Sequence, residues 1–368
     1  MKKLLPCLTA VLLLGVLPLC AAAAAPEVSA ASAIVLEPET DTVLYEKDAD
    51  TPRLIASTTK IMTALVVLEH CALDEPVTVT AAHAAVEGSS MYLQRGERYT
   101  VEQLLYGLLL VSGNDAAAAL ADHCAGSMEG FAALMNEKAA ALGLTHTHFA
   151  NAHGLDADGH YSTARDLAYI TAAAMENPDF CTIFAAQSYT CGEQTYINHN
   201  RLLRECEGCI GGKTGYTEAA GRALVSCVER EGMRLICVTL SDPDDWADHA
   251  ALYDAAFSGY RILRLPEYGW QQLGIISGTT GVARLECVRK AVVVPKAADV
   301  RLAVYLPRFV FAPVYSGGRA GTLDVLVDGE PVLSTEILYG ETVPTDRSIM
   351  LTAWERFRRF WFPLVAQG

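Results

Sequence analysis

Residues 210–240 read IGGKTGYTEAAGRALVSCVEREGMRLICVTL. The segment falls into β-rich runs bounded by glycine, with a turn at Glu231-Gly232, and predicts adjacent strands. Two further short strands, SAIVLE and TVLYEK, lie within residues 31–47, joined by a turn over Pro38 to Asp41. Between these two groups of strands the periodicity changes. In PRLIASTTKIMTALVVLEH, residues 52–70, the apolar positions Ile61, Leu65 and Leu68 recur at helical spacing, so a buried helix is predicted to begin near Ser57 or Thr58. Thr100 followed by Gln103 is a capping box that opens the helix VEQLLYGLLL. Asp115 is expected to cap an Ala-rich helix that stops at Gly126, and Ser127 to open another that stops at Gly143. A further helix should start between Ser162 and Arg165 and run through Met175, and a last one from about Asp244 to Phe257, ending at Gly259. Helices in the middle, with strands contributed from both ends, predict an α/β (α+β) domain built on a mainly antiparallel sheet flanked by helices.

The ends of the chain have a different character. Lys2 and Lys3 precede an apolar run from Leu4 to Leu19 and then Ala21 to Ala25, the pattern of an export signal over residues 1–25. After the α/β unit, taken as residues 26–265, the composition shifts. Runs such as KAVVVP, RLAVYLP and TLDVLVDGEPVL predict a small all-β domain over residues 266–344. Residues 345–368 read as an amphipathic helix. Met350, Leu351, Trp354, Phe357, Trp361 and Leu364 fall on one face, with Glu355, Arg356 and Arg359 opposite. That face suits the surface of an anionic bilayer, not a span.

Composition excludes some functions. Of 368 residues, 51% are hydrophobic and 19% charged, which argues against a disordered chain. The formal charge of −15, from 28 basic and 43 acidic side chains, argues against a nucleic-acid partner. Eleven cysteines form no framework of the kind found in small secreted domains. Cys206 and Cys209 make one C-x-x-C with neither the second pair of a zinc site nor the setting of a thioredoxin motif, so mostly buried free thiols are expected. His146 and His148 lack a third ligand, and no metal site is expected.

Three short motifs carry the chemistry. Ser57-Thr58-Thr59-Lys60 is an S-x-x-K at a helix start, Ser112-Gly113-Asn114 an S-x-N between two helices, and Lys213-Thr214-Gly215 a K-T-G entering a strand. Taken singly, Ser57 is a helix cap, residues 112–114 a turn and Lys213 a solvated charge. Taken together, in this order and behind an export signal, they suit nucleophilic catalysis. A serine hydroxyl needs an adjacent base, and residues three apart share a helix face, which sets Lys60 beside Ser57. A lysine is a base only when neutral, so desolvation or a nearby cation, which Lys213 would supply, must lower its pKa. Ser57 near a helix N-terminus places backbone N–H groups at the reacting carbonyl. Ser112 would relay a proton to the leaving amine, Asn114 would hold the substrate backbone, and Thr214 with Lys213 would bind a terminal carboxylate. The backbone after Gly215, at Tyr216, would give the second oxyanion-hole donor, while Gly211, Gly212 and Gly215 let a substrate strand approach closely. His153 and Asp156 invite a Ser/His/Asp reading, which is set aside because Lys60 already fills the base role.

These motifs make the chain similar to the low-molecular-mass penicillin-binding proteins, the serine-type D-alanyl-D-alanine carboxypeptidases of the peptidase S11 type. The resemblance extends through IASTTKIMTALVVLE, LLLVSGNDAAAALA, FANAHGLDADGHYSTARDLA and GGKTGYTEAAGRALVS, and covers nearly all of residues 31–260. APVYSGGRAGTLDVLVDGEPV resembles the family's C-terminal β domain. The resemblance implies a serine β-lactamase/transpeptidase-like fold and removal of the last D-Ala from the pentapeptide stem of peptidoglycan. It implies an acyl-enzyme on Ser57, acylation of Ser57 by β-lactams, and no cofactor. It also implies an exported protein at the outer face of the cytoplasmic membrane, anchored by its tail.

One departure stands out. Some members carry a basic residue after the strand equivalent to RLICVTL, close to the substrate carboxylate, but SDPDDWADH here contains no Lys or Arg. The carboxylate would rely on Thr214, Lys213 and Arg222. Two rival readings are a class A β-lactamase and a non-catalytic wall-binding protein. The first would need a glutamate for deacylation, and NAHGLDADGHYSTARD offers only Asp156 and Asp158. The second conflicts with the intact set of motif residues.

Overall fold

The computed structural model describes residues 26–265 and 273–346. The export signal expected over residues 1–25 and residues 347–368 of the expected tail helix lie outside the described residues. So do residues 266–272, where the boundary between the two domains is expected.

The centre of the molecule is a five-stranded sheet in the order Thr42–Lys47, Ser32–Glu37, Met233–Leu240, Gly221–Arg230, Cys209–Thr217. Every neighbouring pair is antiparallel. The SAIVLE and TVLYEK strands fall where the sequence puts them. The hairpin joining Gly221–Arg230 to Met233–Leu240 turns on Glu231 and Gly232, both at positive φ, 51° and 74°. This two-residue turn matches the right-handed twist of the flanking strands.

The central strands carry apolar side chains on both faces because both faces are covered. Successive side chains alternate between the faces. Ile34 and Leu36, with Ile236, Val238 and Leu240, enter the core shared with the Lys60–His70, Val101–Leu110 and Ala164–Ala174 helices. Ala33, Val35, Leu235 and Cys237 face the other way, onto Leu252, Tyr253, Ala256 and Phe257 of the Asp245–Gly259 helix. Each fully buried Val, Leu or Ile contributes about 1.5–3 kcal/mol. The result is a three-layer helix–sheet–helix unit.

Helix starts follow the local chemistry with two corrections. Thr100 and Gln103 close the expected capping box, and Ser127 and Thr163 accept N-cap bonds from Gly130 and Asp166. Asp115 is not a cap. It lies inside the Asn114–Ala125 helix, whose N-cap is Gly113, and takes bonds from the Met91 and Leu93 N–H groups and the Ser90 hydroxyl. A buried carboxylate here gains more by satisfying the turn over residues 89–93 than by capping its own helix. The start of the helix beside Ser57 also differs from expectation. Ala56–Thr59 form a 3₁₀ turn, and the α-helix proper begins at Lys60. Tightening the first turn this way is a common route into an α-helix.

Several elements escaped the sequence pattern, among them the Pro178–Phe184 helix and the Ser188–Cys191/Gln194–Ile197 hairpin. Asn177 followed by Pro178 was the available signal for the first, an N-cap before a first-turn proline.

Among the described residues the C-terminal region, 273–346, is all β, as expected. Its four-stranded sheet runs in the order Leu285–Cys287, Glu330–Tyr339, Arg319–Val327, Val300–Tyr305, over a core that includes Leu323, Val325, Ile337 and Tyr339. Tyr260–Arg264, directly after the last helix, pairs antiparallel with Ala291–Pro295. Leu265 packs into the second core, and Arg289 reaches back to the Thr40 carbonyl at 3.3 Å.

Candidate active site

The site forms where the first turn of the Lys60–His70 helix meets the edge strand Cys209–Thr217. Gly215 makes that meeting possible. A Cβ on it would lie 3.0 Å from Ser57 N and 3.1 Å from Thr58 N, so the strand backbone is pressed against the turn carrying Ser57. Ala56, just before Ser57, has φ +45°, a costly conformation for a residue other than glycine. Its carbonyl accepts from the Thr59 hydroxyl at 2.8 Å, and Thr59 Oγ1 contacts His160 Nε2 at 2.8 Å. The other ring nitrogen of His160 accepts from Ala150 N at 3.1 Å. Burial pushes this histidine down to about 4, so it stays neutral at physiological pH. A chain of hydrogen bonds from Ala150 to Ala56 thus holds the strained turn.

Lys60 is fully buried. Its Nζ lies 2.9 Å from Ser57 Oγ and 2.7 Å from Asn114 Oδ1, and donates to the His153 carbonyl. Two of these partners, an amide oxygen and a peptide carbonyl, can only accept. Only the Ser57 hydroxyl can give a proton to the amine. Burial first, and the Lys213 cation second, hold the Lys60 pKa well below the ordinary lysine value.

Asn114 sits behind the lysine, not against the open cleft. Its Nδ2 donates to the Glu87 carbonyl at 2.7 Å, so both ends of the amide are engaged within the protein. That bond uses one of the two Nδ2 hydrogens, so the geometry adds the holding of Lys60 to the role expected toward substrate. Ser112 has φ +62°, and its hydroxyl is buried without a hydrogen-bond partner. A strained serine with an unmet hydroxyl beside a cleft is a group set for a ligand. Lys213 is buried, donates to the Thr214 carbonyl at 2.7 Å, and is pushed by burial down to about 7.

Ser57, Ser112, Thr214, Gly215 and Tyr216 line one open cleft of about 330 Å³. Ser89, His199, Arg222, Asp245 and Trp246 complete the wall. Of these, the sequence pointed to Arg222 alone. Arg222 Nη2 donates to Asp245 Oδ1 at 2.9 Å, and that carboxylate is nearly buried. The Arg222 guanidinium lies 5.9 Å from the centre of the Trp246 ring, and that of Arg201 lies 4.9 Å from it. Asp245 and Trp246 belong to the very segment remarked on for lacking a cation. It supplies instead an anion and an aromatic face that orient an arginine from the neighbouring strand.

The Ser/His/Asp alternative finds no support in the geometry. His153 meets Lys60 through its backbone oxygen, its Nδ1 accepts from Leu155 N at 3.2 Å, and Asp156 takes the Thr217 hydroxyl at 2.9 Å. His148 is engaged with the Gly159 carbonyl, away from the cleft.

The family described as D-alanyl-D-alanine carboxypeptidase, peptidase S11, matches residues 20–244. The chain belongs to this family. Among curated members, this carboxypeptidase-family chain is 33% identical over 331 residues to D-alanyl-D-alanine carboxypeptidase DacF of Bacillus subtilis, covering 84% of each protein. It is 40% identical over 245 residues to D-alanyl-D-alanine carboxypeptidase DacB2 of Mycobacterium tuberculosis, covering 63% of this chain and 84% of that one. Among solved structures it is similar to penicillin binding protein 5 from Haemophilus influenzae, with TM-score 0.76 and 26% identity over 87% of this chain and 98% of the other. A point mutant of the Streptomyces K15 DD-transpeptidase aligns with TM-score 0.61 and 37% identity, over 63% of this chain and 99% of the other. The sequence-derived assignment to the low-molecular-mass penicillin-binding proteins and their transpeptidase-like fold therefore stands.

Proposed function

We propose that this serine carboxypeptidase removes the terminal D-alanine from peptidoglycan pentapeptide stems by way of an ester on Ser57. Neutral Lys60 takes the Ser57 proton as Oγ attacks the carbonyl of the penultimate residue. The oxyanion that forms is held by the N–H groups of Ser57 and Tyr216. Ser112 passes a proton to the nitrogen of the departing D-alanine as the peptide bond breaks. Water then hydrolyses the ester and restores Ser57. β-Lactams enter the same first step, their ring amide standing in for the peptide bond.

The observation that carries this reading is the pattern of partners around Lys60, where Ser57 is the one group able to donate to the amine. The substrate lies along the edge strand Cys209–Thr217, with Thr214 and Arg222 at its terminal carboxylate. Asn114 and Lys213 act from behind, one by orienting Lys60 and the other by keeping it neutral. No step calls for a cofactor or a metal ion.

The catalytic unit comprises residues 26–265 and the β domain residues 266–344. Residues 1–25 direct export, and residues 345–368 lie on the outer face of the cytoplasmic membrane. Among the described residues, no helix is long and apolar enough to cross a membrane. Truncation after Pro344 should leave release of D-alanine from a small peptide nearly unchanged and abolish binding to anionic vesicles. Continued pelleting of the truncated protein with vesicles at high salt would refute the anchor.

The function itself is tested by incubating the protein with diacetyl-Lys-D-Ala-D-Ala and assaying free D-alanine. Wild type should release it, and Ser57→Ala should neither release it nor retain a fluorescent penicillin. Stoichiometric labelling of Ser57→Ala would overturn the assignment.

A further inference from the structure

The helix that begins beside the nucleophile ends among metal-binding side chains. Cys71 closes it, its N–H on the Val67 carbonyl at 2.9 Å. The chain then turns tightly, with Glu75 N on the Ala72 carbonyl at 3.2 Å and Ala72 N on Glu75 Oε1 at 2.7 Å. That turn brings the Glu75 carboxylate back towards Cys71. From the last turn of the Asn114–Ala125 helix, His123 brings Nε2 to 2.9 Å from Glu75 Oε2. Sulfur, carboxylate oxygen and ring nitrogen of Cys71, Glu75 and His123 all lie within 4.8 Å of one another. Cys124, the next residue on that helix, sets its thiol against the thiol of Cys71. All four side chains are half-buried, accessible to an ion yet fixed in place.

We propose that Cys71, Glu75, His123 and Cys124 form a structural binding site for a divalent cation of borderline softness, zinc above all. Two sulfurs, one imidazole and one carboxylate suit zinc and exclude the oxygen-seeking magnesium and calcium ions. Ligands at about 2.0–2.3 Å from a tetrahedral zinc lie roughly 3.3–3.8 Å apart, so Cys71, Glu75 and His123 need to contract by about 1 Å, and Cys124, which lies outside that group, has to swing in further from beside Cys71. Both thiols bind as thiolates and release their protons to solvent.

The place of the site in the fold gives it a role. The two helices that meet here also meet at their other ends, where Lys60 bonds Asn114. The eleven-residue helix that starts at Lys60 and is capped by Cys71 sets them about 16 Å apart along its axis. A bound ion would not touch substrate. It would pin the far ends of the pair whose near ends carry the base and its orienting amide.

The donors are spread over positions 71, 75, 123 and 124, which is why no compact motif announces them. The test uses the reduced, metal-free protein titrated with Co²⁺. The expected result is one ion per chain, an intense thiolate-to-cobalt charge-transfer band with tetrahedral d–d bands, displacement by zinc, and a higher Tm with zinc. Cys71→Ser and His123→Ala should each weaken Co²⁺ binding at least tenfold and lose the band or alter its intensity. Glu75→Gln, the mildest change, serves if either variant fails to fold, and penicillin labelling of Ser57 reports folding in each. An unchanged Co²⁺ spectrum in these variants, no uptake by the reduced wild type, or a Cys71–Cys124 disulfide in the exported protein would each overturn the proposal.

Discussion

Gly154 lies directly against Ala56. A Cβ built on Gly154 would stand 2.0 Å from the Ala56 carbonyl oxygen, and Gly154 itself has φ +86°. The residue before the nucleophile therefore keeps its own left-handed backbone only because its neighbour has no side chain. Gly154→Ala should displace the turn that carries Ser57. Strain of about 1–3 kcal/mol is expected, seen as a lower Tm, with penicillin acylation slowed by an order of magnitude or more. Stopped-flow acylation and a thermal melt check both. A wild-type acylation rate in this variant would show that the turn does not depend on Gly154.

The Lys60 environment fixes the sign of the pH dependence. Its pKa is held low by burial and by Lys213, and in the proposed mechanism the neutral amine is the active form. Acylation should therefore rise with pH through that lowered value and then level off, well before the ordinary lysine range. Lys60→Ala should cost about 10²–10⁴ in acylation rate and flatten this limb. The measurement is the acylation rate constant for one β-lactam across pH, in wild type and variant. A rate that falls with rising pH over the same range would contradict a neutral lysine base.

Lys213 is expected to favour activity at the expense of stability. Burial lowers its pKa to about 7 in the folded protein, against 10.5 when exposed. Between these values the unfolded chain binds the extra proton, so the lysine destabilises the fold increasingly as pH falls from about 10 to about 7. Lys213→Met should raise Tm, more at pH 7 than at pH 10, while lowering kcat/KM and moving the acylation profile to higher pH. A Tm that drops equally at both pH values would mean that its bond to the Thr214 carbonyl outweighs the burial cost.

Arg222 should act on substrate binding more than on chemistry. With Asp245 and Trp246 orienting its guanidinium, loss of one charge-assisted contact to a carboxylate costs about 1.5–3 kcal/mol. Arg222→Leu should thus raise KM for the acyl-D-Ala-D-Ala peptide by about 10- to 150-fold with a smaller effect on kcat. Acylation by a β-lactam ester lacking the free carboxylate should hardly change. An equal loss on both substrates would remove Arg222 from the carboxylate site.

Much of this was legible in the residues. The strands Ser32–Glu37 and Thr42–Lys47, the Thr100 cap and the order of the three motifs follow from local chemistry: alternation, side-chain capping and spacing on a helix face. What escaped depended on partners distant in sequence. Asp115 looks like a cap until the turn at residues 89–93 offers it two N–H groups and a hydroxyl. The bond from Lys60 to Asn114 escaped because it joins residues 54 positions apart. The cleft wall carries no periodic signal, since His199 comes from the connection after Gln194–Ile197 and Asp245 and Trp246 from the first turn of the Asp245–Gly259 helix, and only folding gathers them. The 3₁₀ turn before Lys60 is set by Gly154 and Gly215, which lie 94 and 155 residues beyond Lys60 in the chain.

The five-stranded sheet ends on the strand that carries Lys213, Thr214 and Gly215. An unpaired margin of this kind attracts any extended peptide, including a second molecule of the same protein. The opposite margin, Thr42–Lys47, is guarded by charge: Glu46 pairs with Arg165, and Lys47 holds the Val28 carbonyl. On the catalytic margin the one charged side chain of the strand Cys209–Thr217 is Lys213, and it is buried. Colloidal stability on that side must come from the overall negative charge of the molecule, −15 over the full sequence, which keeps copies apart in solution. High salt would weaken that repulsion, and saturating the cleft with substrate would restore the separation by filling the open row.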